Sequence, residues 1–149
     1  MTGRFSKFRA LSWPERRVLV QAALLLPLVW AALRVFGLAR VHARLGATEA
    51  PNSPSPAADP ARIGTLVNAA AGLPLVPATC LTRSLLLDWL LRRRGVPSEL
   101  RIGVRREGSA LDAHAWVECE GRPVNDAPDV GARFAAFDGP LNPKSFSSP

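Results

Sequence analysis

The chain is poor in the residues that build disulfide frameworks and metal sites, with two cysteines and two histidines among 149 residues. Cys80 and Cys119 lack the spacing of a disulfide scaffold, and no secretory cleavage motif precedes them. His42 falls in a different segment, and Cys119 is expected on the strand face opposite His114, so no metal site is predicted. We expect a protein of a reducing compartment, the cytoplasm, with no metal and no other cofactor.

Lysine is also scarce: of 19 lysine and arginine side chains, only Lys7 and Lys144 are lysines, and the formal net charge is +7. Such an arginine excess is typical of coding bias; the alternative is a basic face toward a membrane or an acidic peptide. No aromatic interleaving, zinc spacing or helix-turn-helix pattern accompanies the charge. Nucleic acid is therefore not expected as a partner.

Composition divides the chain into four parts. Residues 1–46 form a hydrophobic helical region, and residues 47–60 form a linker with four prolines and no large apolar side chain. Residues 61–137 form the main module, and residues 138–149 a flexible tail. Because the module is small for an autonomous core, we expect it to pack against the N-terminal helices or a partner protein.

The most apolar segment is Val18–Ala39, which is flanked by arginines on both sides. The apolar run between Gln21 and Arg34 is shorter than the roughly 18 to 20 residues of a spanning helix, and Pro27 interrupts it. A buried or interfacial helical hairpin is therefore favoured over a spanning helix. Peripheral membrane contact through residues 18–39 stays an open alternative.

Helix-start signals appear at two places in the first half of the chain. Ser12, Pro14 and Glu15 form a capping box with proline in the first turn, so the first helix is predicted to begin near residue 13. After the linker, residues 61–71 have apolar side chains at helical spacing and end at Gly-Leu-Pro. These apolar positions are Ile63, Leu66, Val67 and Ala70.

A third helix is predicted from Cys80 to Gly95, with Thr79 as its cap and arginines in its last turn. Leucines spread around most of its circumference, which is typical of a buried central helix. They are Leu81, Leu85, Leu86, Leu87, Leu90 and Leu91.

The apolar period then changes to two, which indicates strands. Residues 99–105 form a half-buried strand, and residues 113–119 form a second one that places His114, Trp116 and Glu118 on one face. Glu120-Gly-Arg122 reads as a tight turn into Pro123-Val-Asn-Asp126. A buried helix followed by an antiparallel sheet predicts an α+β fold.

Three residues could together carry nucleophilic chemistry. A thiol at a helix start, as at Cys80, is favoured as the thiolate by the helix dipole and by unpaired N–H groups. His114 can take and return a proton, and Asp126, nearly opposite it across the hairpin with an even separation, can fix the imidazole. The free N–H groups of the helix could also hold an oxyanion.

Each of these residues also has a purely structural interpretation. Cys80 can be a packing residue of a leucine-rich helix, and His114 a structural polar residue of a strand. Asp126 can be a turn former, and Asp129 competes for its role. Cys119 is interpreted as a core residue.

Five sequence blocks follow one another in the second half of the chain: Cys80-Leu-Thr-Arg-Ser84, Leu90-Leu-Arg-Arg-Arg-Gly-Val-Pro97, Glu99-Leu-Arg-Ile-Gly-Val-Arg105, Ala113-His-Ala-Trp-Val-Glu118 and Gly121-Arg-Pro-Val-Asn-Asp126. In this order they resemble the lasso-peptide leader peptidases, the microcin-processing B-protein family with a transglutaminase-like core. The resemblance covers residues 61–137 and implies a Cys80–His114–Asp126 triad that removes the leader from a ribosomally made lasso precursor. It also implies a separate cyclase that closes the released amine onto an acidic side chain.

Full-length members of this family carry an N-terminal leader-recognition module built around a strand edge. Residues 1–45 are instead hydrophobic helix without strand alternation, so the resemblance implies the split form, with a separate leader-binding protein. Two rivals remain: a transglutaminase-like acyltransferase using the same triad, and a non-catalytic leader-binding or scaffold protein of the maturation complex.

Overall fold

Three helices precede a small antiparallel sheet in the computed structural model, which describes residues 10–47, 59–74 and 76–137. The predicted α+β fold is confirmed. Residues 48–58 of the predicted linker and the whole predicted tail, 138–149, lie outside the described residues. The elements are α1 (Trp13–Gly46), α2 (Pro60–Ala71), α3 (Cys80–Arg92), β1 (Glu99–Glu107), β2 (Ala110–Cys119), β3 (Arg122–Pro123), α4 (Val130–Arg133) and β4 (Ala135–Ala136).

Helix α1 begins at Trp13, as predicted, where the Glu15 carboxylate accepts hydrogen bonds from the backbone N–H and hydroxyl of Ser12. The expectation that Pro27 interrupts the helix is wrong, because Pro27 lies inside α1. Buried side chains on both sides of it, Leu26 and Val29, hold the helix against the core and offset the hydrogen bond that proline removes.

The break in α1 falls at Gly37 instead, whose φ of 75° and ψ of 166° are non-helical. A positive φ of this size is open to glycine at little cost. Residues 13–46 are thus two helical segments that meet at Gly37, not at Pro27. By length and composition, α1 could also cross a membrane, whereas the sequence pattern had favoured a shorter element.

Helices α1, α2 and α3 share one core with the inner face of the sheet. Helix α2 buries the four positions expected from its spacing, and α3 is apolar around its circumference, as predicted for a central helix. Helix α1 contributes five buried residues to the same core, so the module packs against the N-terminal helix as expected. These residues are Val18, Ala22, Leu26, Val29 and Val41.

The sheet is antiparallel with the order β3-β2-β1-β4. Leu100 on β1 and Val117 on β2 are paired and face α3, whereas Trp116 faces a smaller cluster with Val130 and Phe134 on the other side. Residues of β2 therefore alternate between the helical core and this second cluster. His114 lies on the face of the second cluster.

A two-residue turn joins β2 to β3. Glu120 and Gly121 have φ of 51° and 74°, the left-handed conformation of both central residues in a type I′ turn. The turn sets Cys119 opposite Arg122 and Glu118 opposite Pro123. Strand β3 then ends at Pro123, earlier than the predicted strand through residue 126.

Candidate active site

Cys80 is the first residue of α3 and is half-buried. Thr79 caps the helix, because its hydroxyl oxygen accepts the backbone N–H of Thr82 at 3.2 Å. This cap leaves the sulfur at the positive end of the helix dipole, beside backbone N–H groups that lack helical partners. Such N–H groups can hold a developing oxyanion.

His114 and Asp126 are brought together. Nε2 of His114 lies 2.6 Å from Oδ2 of Asp126, and both side chains are about one fifth exposed. The other carboxylate oxygen of Asp126 accepts the backbone N–H of Ala127 at 2.8 Å and lies 3.5 Å from Arg133. With Nε2 engaged by the carboxylate, Nδ1 of the ring remains for a thiol.

The charge state of Asp126 follows from these contacts. Burial raises the pKa of its carboxyl, but the hydrogen bonds from His114 and Ala127 and the charges of His114 and Arg133 outweigh burial. The pKa of Asp126 is therefore lowered, and the group is ionised near neutral pH. An ionised carboxylate is the form that can hold an imidazolium during proton transfer.

The contact between His114 and Asp126 does not arise from the predicted pairing of two strands in a hairpin. Continuing the register of β2 and β3 would set Asp126 opposite Ala115, on the strand face away from His114. The two side chains meet because β3 ends at Pro123 and the chain leaves the sheet before Asp126. The assumption that an even separation places them on one sheet face is therefore wrong.

Asn125 makes the departure from the sheet possible. Val124 still bonds to Val117 through its backbone, but the next acceptor for β2 is a side chain, as Oδ1 of Asn125 accepts the N–H of Val117 at 2.8 Å. Nδ2 of Asn125 donates to the hydroxyl of Ser84 at 3.0 Å. The side chain thus replaces a strand backbone and fixes the residue before Asp126.

Ser84 links α3 to the strand that carries His114. Its side chain is fully buried, and its hydroxyl donates to the carbonyl oxygen of Ala115 at 3.0 Å. Because Ser84 lies four residues after Cys80, both residues share a helix face, about one turn or 6 Å apart along the axis. The helix start that carries Cys80 therefore lies within about one turn of Ala115, whereas the side chain of His114 lies on the other face of β2.

The hydrogen bonds of the described residues include none to the Cys80 thiol, so its approach to Nδ1 of His114 stays a prediction. Ser84 and Asn125 were missed as site residues. The signal for Ser84 was its spacing of four from Cys80, and the signal for Asn125 was its position directly before Asp126.

The imidazole is held by stacking as well as by the carboxylate. The Phe134 ring stacks on His114 with centroids 4.9 Å apart, and Trp116 stacks at 6.3 Å. Trp116 is itself fixed by an N–H bond to Glu118 at 2.8 Å. These contacts restrict the ring to one orientation, which a general base requires.

Asp129 competed with Asp126 for the orienting role, and Cys119 was interpreted as a core residue. Asp129 precedes α4, is 65% exposed and pairs with Arg133. Cys119 is buried in the core, and burial raises the pKa of its thiol, which disfavours the nucleophilic thiolate.

Two further findings concern sites for other groups. Within the described ranges, His, Cys, Asp and Glu form no cluster of three or more that could hold a metal ion.

A cavity of about 460 Å³ lies where the starts of α1 and α2 meet the end of α3, lined by Glu15, Arg62, Leu90 and Arg94 among others. That is the end of α3 opposite Cys80.

The chain is similar in sequence to known proteins that have a transglutaminase-like domain. Residues 22–137 match the transglutaminase-like superfamily, so the match includes most of α1 and the whole sheet. The chain belongs to this superfamily. It is also similar to the Microcin J25-processing protein McjB of Escherichia coli, at 38% identity over 65 residues. That stretch is 44% of this chain and 30% of the relative. No solved structure matches the chain.

Proposed function

We propose that this chain is a cysteine peptidase that removes the leader from a ribosomally made lasso-peptide precursor. The observation that carries the proposal is the His114–Asp126 pair at 2.6 Å, with α3 tied to the neighbouring Ala115 by Ser84. A thiol, an oriented imidazole and a carboxylate are the groups that amide hydrolysis by a cysteine needs. The similarity to a microcin-processing protein supports the choice of substrate class.

In the proposed reaction, the Cys80 thiolate attacks the carbonyl carbon of the leader–core amide bond. Backbone N–H groups at the start of α3 hold the oxyanion, and His114 donates a proton to the leaving amine of the core peptide. A thioester of the leader with Cys80 remains. Water, deprotonated by His114, then attacks the thioester and releases the leader carboxylate together with the free thiol.

We also propose that a separate leader-binding protein and a lasso cyclase work with this chain. Residues 13–46 are helical apart from Gly37 and, within the described part of the chain, offer no strand edge to an extended leader. A leader-binding protein would raise the local concentration of the precursor at Cys80. Adding it should therefore increase cleavage by the full chain at low micromolar precursor.

The direct test is cleavage of a synthetic precursor in the presence of the leader-binding protein, with mass spectrometry to follow the products. Cys80→Ala should abolish cleavage with the fold retained, because alanine fits at a half-buried helix start. Cys119→Ala is the matched control and should keep activity within a few-fold. Cleavage by Cys80→Ala, or its loss in a folded Cys119→Ala protein, would contradict the proposal.

One rival is supported by the family description itself: a transglutaminase-like acyl transfer, in which an amine replaces water. The products separate the two. Hydrolysis releases the leader with a free carboxylate, whereas acyl transfer in the presence of an added alkylamine releases a leader amide. We expect the carboxylate to remain the main product when the alkylamine is added.

A further inference from the structure

The exposed apolar side chains of the described residues concentrate on α1. The described residues expose nine large apolar side chains in total, and six of these nine belong to α1. Five of these six recur at intervals of four or seven residues, which places them on one face of the helix. We name this face the outer stripe: Trp13, Val20, Leu24, Leu28 and Val35.

The opposite face of α1 packs in the protein core. Val18, Ala22, Leu26 and Val29 are buried there, with exposures of 9% or less. A helix with this face in the protein core cannot be surrounded by lipid, so the packing disfavours a spanning arrangement. Only 22% of its most apolar window is buried, however, so the core accounts for little of the apolar composition of α1.

The charges around the outer stripe form a pattern of their own. Residues 18–33 contain no charged side chain, and Gln21 is the most polar among them. Arginines follow on both sides, with Arg17 before the apolar stretch and Arg34, Arg40 and Arg44 after it. The single acidic residue of α1, Glu15, is neutralised by its ion pair with Arg62.

These features are those of a helix that lies in a membrane interface. An apolar face enters the boundary between headgroups and acyl chains, arginines bind lipid phosphates, and tryptophan prefers the same depth. An apolar protein groove would complement the stripe but would give no role to arginines at both ends. The flanking charges therefore favour an anionic lipid surface.

We propose that α1 binds an anionic membrane surface through the outer stripe, lying along the surface without crossing it. Helices α2 and α3 contact α1, and α3 in turn contacts the sheet. Docking through α1 thus leaves the sheet, which carries His114, on the aqueous side. This proposal does not depend on the peptidase activity, and its test needs no substrate.

Flotation of the full chain with lipid vesicles tests the proposal. We expect the protein to float with vesicles of phosphatidylglycerol and phosphatidylcholine, and to float much less with phosphatidylcholine alone. The double variant Leu24→Gln with Leu28→Gln keeps the net charge. Its affinity for the anionic vesicles should fall by at least about tenfold, because two inserted apolar side chains are lost. Arg17→Gln with Arg40→Gln should lower binding to the anionic vesicles only.

The matched control is Leu111→Gln, at an exposed leucine of β2 outside the stripe, which should float like the wild type. Circular dichroism confirms that each variant is folded, since these leucines are not core residues. A wild type that floats with neither vesicle, or a folded double variant that floats as well as the wild type, overturns the proposal. Self-association that the double variant abolishes, without flotation of the wild type, would assign the stripe to a second copy and likewise overturn it.

Discussion

The Oδ2 atom of Asp126 lies 2.6 Å from Nε2 of His114, although the strand that should carry Asp126 ends three residues earlier. The contact forms because the chain leaves the sheet after Pro123. It therefore depends on the side chain of Asn125, which bonds to β2 in place of a strand backbone. A carboxylate placed in this way can hold one tautomer and one orientation of the imidazole. Four consequences can be measured on variants of the full chain.

The first prediction concerns the carboxylate itself. Asp126→Asn should lower single-turnover cleavage by at least about 100-fold, because the amide permits the wrong imidazole tautomer. Precursor affinity should change little. Asp129→Asn is the control and should retain near-normal turnover, since Asp129 pairs with Arg133 and not with His114. The reverse pattern would transfer the orienting role to Asp129.

The second prediction concerns the buried hydroxyl of Ser84. Ser84→Ala leaves the carbonyl of Ala115 and the amide of Asn125 without their partner, which should cost about 1 to 3 kcal/mol of unfolding free energy. Because the same contacts fix the segment before Asp126, kcat should fall while KM stays within a few-fold.

Urea unfolding and steady-state kinetics measure the two effects separately. Ser109→Ala, at an exposed turn position, is the control and should change stability by less than about 0.5 kcal/mol. Unchanged kcat in Ser84→Ala would show that the network is structural only.

The third prediction uses the close approach of α2 to the segment after β3. A Cβ added at Gly64 would lie 1.9 Å from the carbonyl oxygen of Val124. Gly64→Ala should therefore displace this segment, lower the unfolding free energy by about 1 to 3 kcal/mol and reduce turnover. Gly46→Ala, where nothing lies within 4 Å of the added Cβ, should affect neither quantity. Equal stability of the two variants would contradict this packing.

The fourth prediction concerns acid stability. The folded-state pKa of Asp126 is lowered, so its ionised form stabilises the fold above the unfolded pKa of about 3.9. This contribution is lost as the pH falls toward the folded pKa.

Urea unfolding at several pH values measures the effect. Between about pH 6 and pH 3, the wild type should lose more unfolding free energy than Asp126→Asn, which cannot ionise. Asp129→Asn should follow the wild type. An equal loss in wild type and Asp126→Asn would show that the pair does not stabilise the fold.

The sequence predicted the elements whose burial is periodic. The spacing of Ile63, Leu66 and Val67 was sufficient for α2, and the alternation in residues 99–105 and 113–119 was sufficient for β1 and β2. Pro27 was misjudged because the local rule for proline omits the packing energy of the core that holds α1 on either side.

The site was less predictable because it depends on contacts between distant segments. The turn is centred between Glu120 and Gly121, half a residue from either of the two predicted centres, Glu120 and Gly121. Such a shift reverses the face of every later residue, so the pairing of His114 with Asp126 could not follow from strand parity. The network of Ser84, Asn125 and Ala115 joins residues 31 to 41 positions apart through side chains. No local pattern of apolar and polar residues predicts such bonds.

The measurement that tests the central claim most directly is interception of the acyl enzyme by hydroxylamine during precursor cleavage. A thioester at Cys80 reacts with hydroxylamine to give the leader hydroxamate and the free thiol, and mass spectrometry distinguishes this product from the leader carboxylate. We expect hydroxamate with wild type and with Cys119→Ala, and neither product with Cys80→Ala. Leader released only as carboxylate at high hydroxylamine, or any cleavage by Cys80→Ala, would contradict the assignment of Cys80 as the nucleophile.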